Sequence, residues 1–457
     1  MGNRRRLFVA CCAALVAQAM AFSICTNIMG DFERVFRLTR AEVGEAVAWG
    51  GIGGVIVLFA GGALLDFVGA ARVLALALLT NLAGLTVVIF AQGFWSLAVG
   101  WLFLAVTGGL IHATINPLAA TLYPERKTRV FNMLHAWWPG GIIIGGLLAY
   151  GLGEAFALAG SPAVLRDHGW QIKMACVYAP IALYAVLIFK QKFPKTERVQ
   201  SGVSTGTMFR EALRPMFLLL VFCMCLTASV ELGPNRWVGP FIKDIVGIPG
   251  VLVLVYTSGL MFALRQSIAG FLARRISPMG ILVASSVLAG LGLLWLSYTT
   301  GPVTLFLAAT VFGVGVTFFW PTMLGVTSER FAKGGAFLLA IMSAAGGLFL
   351  SYATVPGMGR LHDHYTLRSL PPTVAQKVVV KGRIDEDREE ALGEDDKGTV
   401  KQARRTAAST TFRYVAILAA VLVVVFTVML LGGRSKAKEK VARADPDEAA
   451  APEPQDT

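Results

Sequence analysis

The chain carries one pattern twice, at an offset of about 204 to 208 residues, and both copies are strings of apolar runs long enough to cross a bilayer. Asn116-Pro117 followed by Tyr123-Pro124-Glu125-Arg126 returns as Trp320-Pro321 followed by Thr327-Ser328-Glu329-Arg330. Phe131 with Gly140-Gly141 returns as Phe337 with Gly346-Gly347, and Gly151 and Gly153 return as Gly357 and Gly359. The Leu64 to Val73 turn returns as Leu272 to Ile281. Lipid offers no partner to an exposed N–H or C=O, so runs of this kind must be helices. Many secondary transporters are built from two related membrane halves, with the substrate site between them.

Composition agrees. The 457 residues are 55% hydrophobic and 15% charged, where a soluble chain carries about a quarter charged residues. Apolar runs are expected to span at 7–29, 42–65, 72–91, 94–117, 131–153, 171–189, 214–235, 249–272, 279–298, 303–325, 335–356 and 411–432. The net charge of +13 does not point to nucleic acid, because Lys and Arg gather in short loops between the apolar runs. One set of loops holds roughly twenty cations and the other roughly seven, which places both termini in the cytoplasm. Arg4 to Arg6, an apolar run and Ala19-Met20-Ala21 mimic a signal peptide. The run is expected to be kept, because its counterpart at about 214–235 completes the repeat.

The resulting expectation is an all-α membrane protein with twelve transmembrane helices in two pseudo-symmetric six-helix bundles. Residues 1–189 form the first bundle, 190–213 a cytoplasmic linker and 214–432 the second bundle. Residues 358–410, polar and rich in both charge signs, read as a disordered or loosely helical external loop. Residues 433–457 read as a disordered cytoplasmic tail. The six cysteines, all inside apolar runs, show neither disulfide nor metal spacing. No metal and no cofactor are expected.

Polar residues inside the spans mark the candidate site. An ionisable side chain at mid-membrane costs about 2.5 to 3.5 kcal/mol, so it faces a cavity or a partner. Glu231 is the foremost example, with Asn235 one turn away on the same face. It falls opposite Cys25 in the repeat, near Asn27. A cavity-facing Glu231 can take a proton or touch substrate; the plain structural alternative is a polar clasp between helices. His112 and Asn116 lie one turn apart in the fourth span, and His135 lies in the fifth near Asn132, Trp137 and Trp138. The two histidines can relay a proton or simply hold helices together by hydrogen bonds. Trp320, opposite Asn116 in the repeat, can offer its indole to a sugar face or only pack. Gln18 carries less weight. Basic residues are scarce among these candidates, which disfavours strongly anionic substrates such as phosphate esters. The Gly50 to Gly54 run lies inside a span with no strand before it, so it serves close helix packing rather than nucleotide binding.

The turn after the second span reads Gly62-Ala63-Leu64-Leu65-Asp66-Phe67-Val68-Gly69-Ala70-Ala71-Arg72. It resembles the signature loop of the major facilitator superfamily, Gly-x-x-x-Asp-Arg/Lys-x-Gly followed by basic residues. Gly62, Asp66, Gly69 and Arg72 match, and Phe67 departs by replacing a cation. Gly270, Arg274, Arg275 and Gly280 form a degenerate second copy. The resemblance implies a cytoplasmic gate of Gly62, Asp66, Gly69, Arg72, Arg274 and Arg275. The stretch His112 to Pro117, then Tyr123-Pro124-Glu125 and Phe131-Asn132-Met133-Leu134-His135, is similar to the fucose/galactose/glucose–proton symporter branch. Asn116 and Asn132 match that branch. His112 stands in place of its protonatable Glu, His135 near its Gln, and Asn27-Ile28 where it has an Asp.

These readings point to a secondary active transporter, not an enzyme. It moves a small polar solute, a sugar or related compound, by proton-coupled alternating access, and it works as a monomer in the lipid bilayer of the cell. Drug or metabolite efflux antiport is the alternative within the same superfamily. The fifth span has Gly141-Ile142-Ile143-Ile144-Gly145-Gly146 without the proline of the antiporter pattern. A non-transporting membrane receptor or sensor is the alternative from another class.

Overall fold

The computed structural model describes residues 2–38, 40–158, 162, 164–165, 168–246, 250–299, 301–380 and 382–443; the side chains of 2, 40–41, 48–52, 235–246, 250–254, 383, 386–387 and 433–443 lie outside that description. Ten helical segments among the described residues are long and apolar enough to cross a membrane, and Gly53–Val68 is a shorter apolar one. The first part of the chain forms α1 (Gly2–Phe36), α2 (Arg40–Val68), α3 (Ala70–Ile89), α4 (Phe94–Leu122), α5 (Lys127–His135), α6 (Trp137–Ala157), α7 (Gly169–Ala175) and α8 (Tyr178–Ile188). The linker holds two short helices, α9 (Glu197–Gln200) and α10 (Thr205–Ala212). The second part forms α11 (Pro215–Val246), α12 (Gly250–Ser267), α13 (Ala269–Arg275), α14 (Pro278–Tyr298), α15 (Pro302–Val316), α16 (Phe319–Arg330) and α17 (Gly335–Phe349). A π turn at Leu350–Thr354 joins α17 to α18 (Val355–Ser369).

Two hydrophobic cores hold these helices. Among the described residues, one is built from residues between Leu7 and Tyr184, with Ala336 joining from beyond the linker. The other is built from residues between Met208 and Phe426, joined by Ala120 and Phe131. In the first, α1 packs on α6 and α8, and α4 packs on α2 and α3. In the second, α14 packs on α15 and on the last helix, and α11 packs on α17.

Lipid is as apolar as leucine, so such helices gain from close backbone approach at small residues. A Cβ on Gly292 would lie 2.5 Å from Phe312 Cα, and one on Gly315 would lie 2.7 Å from Ala289 Cα. These contacts lock α14 to α15. Gly315→Leu is therefore expected to cost at least the ~1–3 kcal/mol typical of overpacking, read as a lower melting temperature of the purified protein. An unchanged melting temperature would mean that the two helices can part freely.

The segment expected as a disordered or loosely helical external loop holds short helices and one strand pair. After α18 come α19 (Pro372–Val378), an antiparallel pair of β1 (Val379–Val380) with β2 (Arg383–Ile384), α20 (Glu386–Glu390) and α21 (Glu394–Arg443). Leu370, Val374, Val378, Val400 and Ala403 form its small core. Lys377 pairs with Asp396 at 2.6 Å, and Arg404 with Glu389 at 2.6 Å. Val374 and Val378 lie four residues apart in α19 and share one helix face, and Leu370 packs with them from the extended link before that helix. α21 runs from this cap through the expected last span and on to Arg443, where a tail without structure was expected from 433. Residues 444–457 lie outside the described residues.

Candidate functional site

Proline builds the centre. A proline inside a helix removes the N–H that would serve the carbonyl four residues earlier. Pro139 so orphans the carbonyl of His135, and Pro321 orphans that of Thr317. The helices break at these places: Ala136 separates α5 from α6, and Thr317-Phe318 separates α15 from α16. Both carbonyls receive the same side chain. Arg265 of α12 donates from Nε to Thr317 O at 2.6 Å and from Nη1 to His135 O at 3.0 Å. Its Nη2 donates to Glu231 Oε1 on α11 at 3.3 Å. Both side chains are buried, 3% and 5% exposed, so neither charge has water to lean on.

The polar chain continues into the first half. His135 Nε2 and Asn116 Oδ1 are 2.9 Å apart, and Asn116 donates to His112 O at 3.3 Å. The rings of His112 and His135 stack at 6.3 Å with 14° between planes, and Trp138 lies 6.1 Å from His112. Trp137 meets Phe262 of α12 edge to face at 5.4 Å. Asn132 is buried one turn before His135 and donates to Thr128 O at 2.9 Å. Its Oδ1, His112 Nδ1, Gln18 Nε2 and Thr322 Oγ1 are buried without a partner. Buried polar atoms left so are places where a water, ion or ligand belongs.

Glu231, His112, Asn116, His135 and Trp320 thus come together where the two cores meet. Trp320 is half-buried, with its ring over Gly346. Asn27 does not join them. It is exposed near the other end of α1 and accepts from Lys173 Nζ at 3.2 Å. Asn235 lies on α11, but its side chain is outside the described residues. Arg265 was absent from the sequence expectation, which held that basic residues are scarce here. It was visible as the lone charged residue of the run 249–272, and Pro139 and Pro321 announced its acceptors.

A second cluster closes one face, the one holding the linker and the N-terminus. Asp66 Oδ2 pairs with Arg198 Nε of the linker at 2.5 Å, with side chains 0% and 6% exposed. Thr196 donates to the other Asp66 oxygen. Lys127 pairs with Glu197 at 2.7 Å. Thr128 of α5 donates to Glu329 of α16 at 2.8 Å. Gly62 lets α2 approach α17 at Ala336 and Ala340. Gly69, at φ +85°, makes the turn into α3, a conformation most side chains resist. Arg72, Arg274 and Arg275 are exposed. Arg72 turns back toward Val68 O, and Arg275 lies over the Phe271 ring. The partner of Asp66 is thus a linker residue, which spacing along the chain does not reveal.

Duplicated membrane helices, broken at prolines around a buried ion pair, define a multi-pass membrane transporter. A family model for the Major Facilitator Superfamily matches residues 7–354, and the chain belongs to that family. The tetracycline resistance protein, class E, of Escherichia coli is 25% identical over 273 residues, 58% of this chain and 64% of that protein. The aligned stretch therefore spans less than two thirds of that relative. The fold is similar to that of the proton:xylose symporter XylE, with a TM-score of 0.69 at 13% identity, covering 93% of this chain and 95% of that one. It is similar also to the E. coli fucose:proton symporter FucP, with a TM-score of 0.63 at 16% identity, covering 91% and 98%.

Proposed function

We propose that the protein is a proton-coupled secondary transporter of a small polar solute, a sugar or a related compound, working by alternating access. The observation that carries this is the hydrogen-bonded chain that runs from the main-chain carbonyl of His112 to Asn116, on to the ring of His135, and from the main-chain carbonyl of His135 through Arg265 to Glu231. It crosses from one core to the other, so a rocking of the halves must remake it. In this reading twelve helices form two six-helix bundles, residues 1–189 and 214–432, joined by the linker 190–213. The linker face is cytoplasmic, as are both termini, and its cluster around Asp66 is the closed gate. The protein acts as a monomer in the cell membrane. His112, Trp137, Trp138 and Trp320, all partly exposed, offer hydrogen bonds and aromatic faces to the solute.

The test is proton flux in proteoliposomes presented with a panel of sugars. Proton uptake with one of them supports symport; proton release on loading supports the efflux reading that the tetracycline resistance relative suggests. Flux with neither would leave the transporter reading without a substrate class. His112→Ala is expected to shift the pH profile of uptake, since its ring stacks on His135 beside the ion pair. An unchanged profile would reduce His112 to packing.

A further inference from the structure

We infer that the solute carries a single carboxylate, which exchanges with Glu231 on Arg265 while Glu231 takes the transported proton. This rests on the transporter reading above and narrows its substrate to a small organic acid, such as a hydroxy or sugar acid.

The argument starts from Arg265. Its guanidinium has five N–H donors in a rigid fork, and three have the partners already described, two of them proline-orphaned carbonyls. Those carbonyls hold the side chain in place whether or not Glu231 is bound. A carbonyl needs only a neutral donor, so capping alone does not call for a full charge at mid-membrane, which is costly. The charge must answer another charge. Arg is the side chain suited to carboxylates. Glu231 meets it at 3.3 Å, long for a charge-assisted contact. The pair is therefore exchangeable rather than optimised.

The charges balance. A solute RCOO⁻ takes the place of the Glu231 carboxylate on Arg265. Glu231, now buried without its counter-charge, binds one proton. The site's net charge is unchanged, and solute plus proton cross as a neutral sum. Among the described residues Arg265 is the charged group paired with Glu231; its other side meets the main chain of His135 on α5, whose ring stacks on His112 of α4. One guanidinium suits one negative charge, so phosphate esters and dicarboxylates stay disfavoured.

The experiment uses the full-length protein in proteoliposomes. The acids are lactate, glycerate and gluconate; the neutral probes are glycerol and glucose. Binding is read by melting temperature and tryptophan fluorescence, and transport by proton flux. An acid is expected to bind and its neutral analogue not. Glu231→Gln is expected to bind that acid about tenfold more tightly, with affinity no longer dependent on pH, because the competing carboxylate is gone. The double variant Glu231→Gln/Arg265→Gln leaves no unpaired buried charge. It is expected to melt near the parent and to bind no acid. The inference is overturned if no acid binds, if the double variant keeps acid affinity, or if Glu231→Gln binds acid more weakly. Proton-coupled uptake of glucose alone would overturn it while keeping the transporter reading; silence toward every probe in well-folded vesicles would overturn it and leave the transporter reading without a substrate class.

Discussion

Glu231→Gln abolishes solute accumulation against a gradient, while passive exchange of solute continues. Coupling needs a group that gains a proton on one side and loses it on the other, and an amide cannot. With one proton per solute, an imposed gradient of one pH unit supports about a tenfold accumulation; the variant should settle near equal concentrations. The protein should still fold. The amide oxygen can accept from Arg265, and His135 O and Thr317 O hold the guanidinium from the other side. A buried cation that has lost its partner can still cost about 3–5 kcal/mol, so the melting temperature must be measured beside transport. The double variant with Arg265→Gln separates the two effects, since it removes both charges. Accumulation that survives in Glu231→Gln would move the proton to His112 or His135 and take Glu231 out of the coupling.

Much of this was legible in the chain because the physics is local or periodic. The repeat of Asn116-Pro117 as Trp320-Pro321 pointed to the meeting of the halves. A carboxylate inside an apolar run, Glu231, has few ways to exist, and the site was built around it. Asn116 and His135 each stood out as polar residues within apolar spans, and the contact between them, 2.9 Å, is one that spacing along the chain does not reveal. What stayed hidden depends on long-range pairing. Asp66 and Arg198 are 132 residues apart, and the missing cation at Phe67 gave no hint that the linker supplies one. Arg265 was hidden for another reason: its acceptors are main-chain carbonyls, which side-chain reading passes over. Counting each proline's orphaned carbonyl would have exposed both. The small core at 370–403, Leu370, Val374 and Val378 against Val400 and Ala403, joins residues far apart among many charges, a pairing the spacing along the chain does not show.

Arg198→Ala should open the linker face. Its guanidinium ties Asp66 of α2 into the linker and also donates to Val203 O at 2.8 Å. Its Cβ lies against Gly335, at the start of α17, where an added side chain would come within 3.0 Å. One side chain thus touches the first half, the linker and the second half. Its loss leaves the Asp66 carboxylate, 0% exposed, with Thr196 alone. Stranding a buried charge in this way costs about 3–5 kcal/mol, and the cost falls only on the closed state. An equilibrium moved by 3 kcal/mol changes by roughly a hundredfold, so a cysteine at Thr121, which lines the small cavity beneath the linker, should react with maleimide about that much faster. The six native cysteines are buried or half-buried and provide the background rate. Pairing Arg198→Gln with Asp66→Asn removes both charges and should restore most of the closure. If labelling in Arg198→Ala stays at the parent rate, the linker is a tether and the gate is held by Thr128 with Glu329 and by α2 against α17.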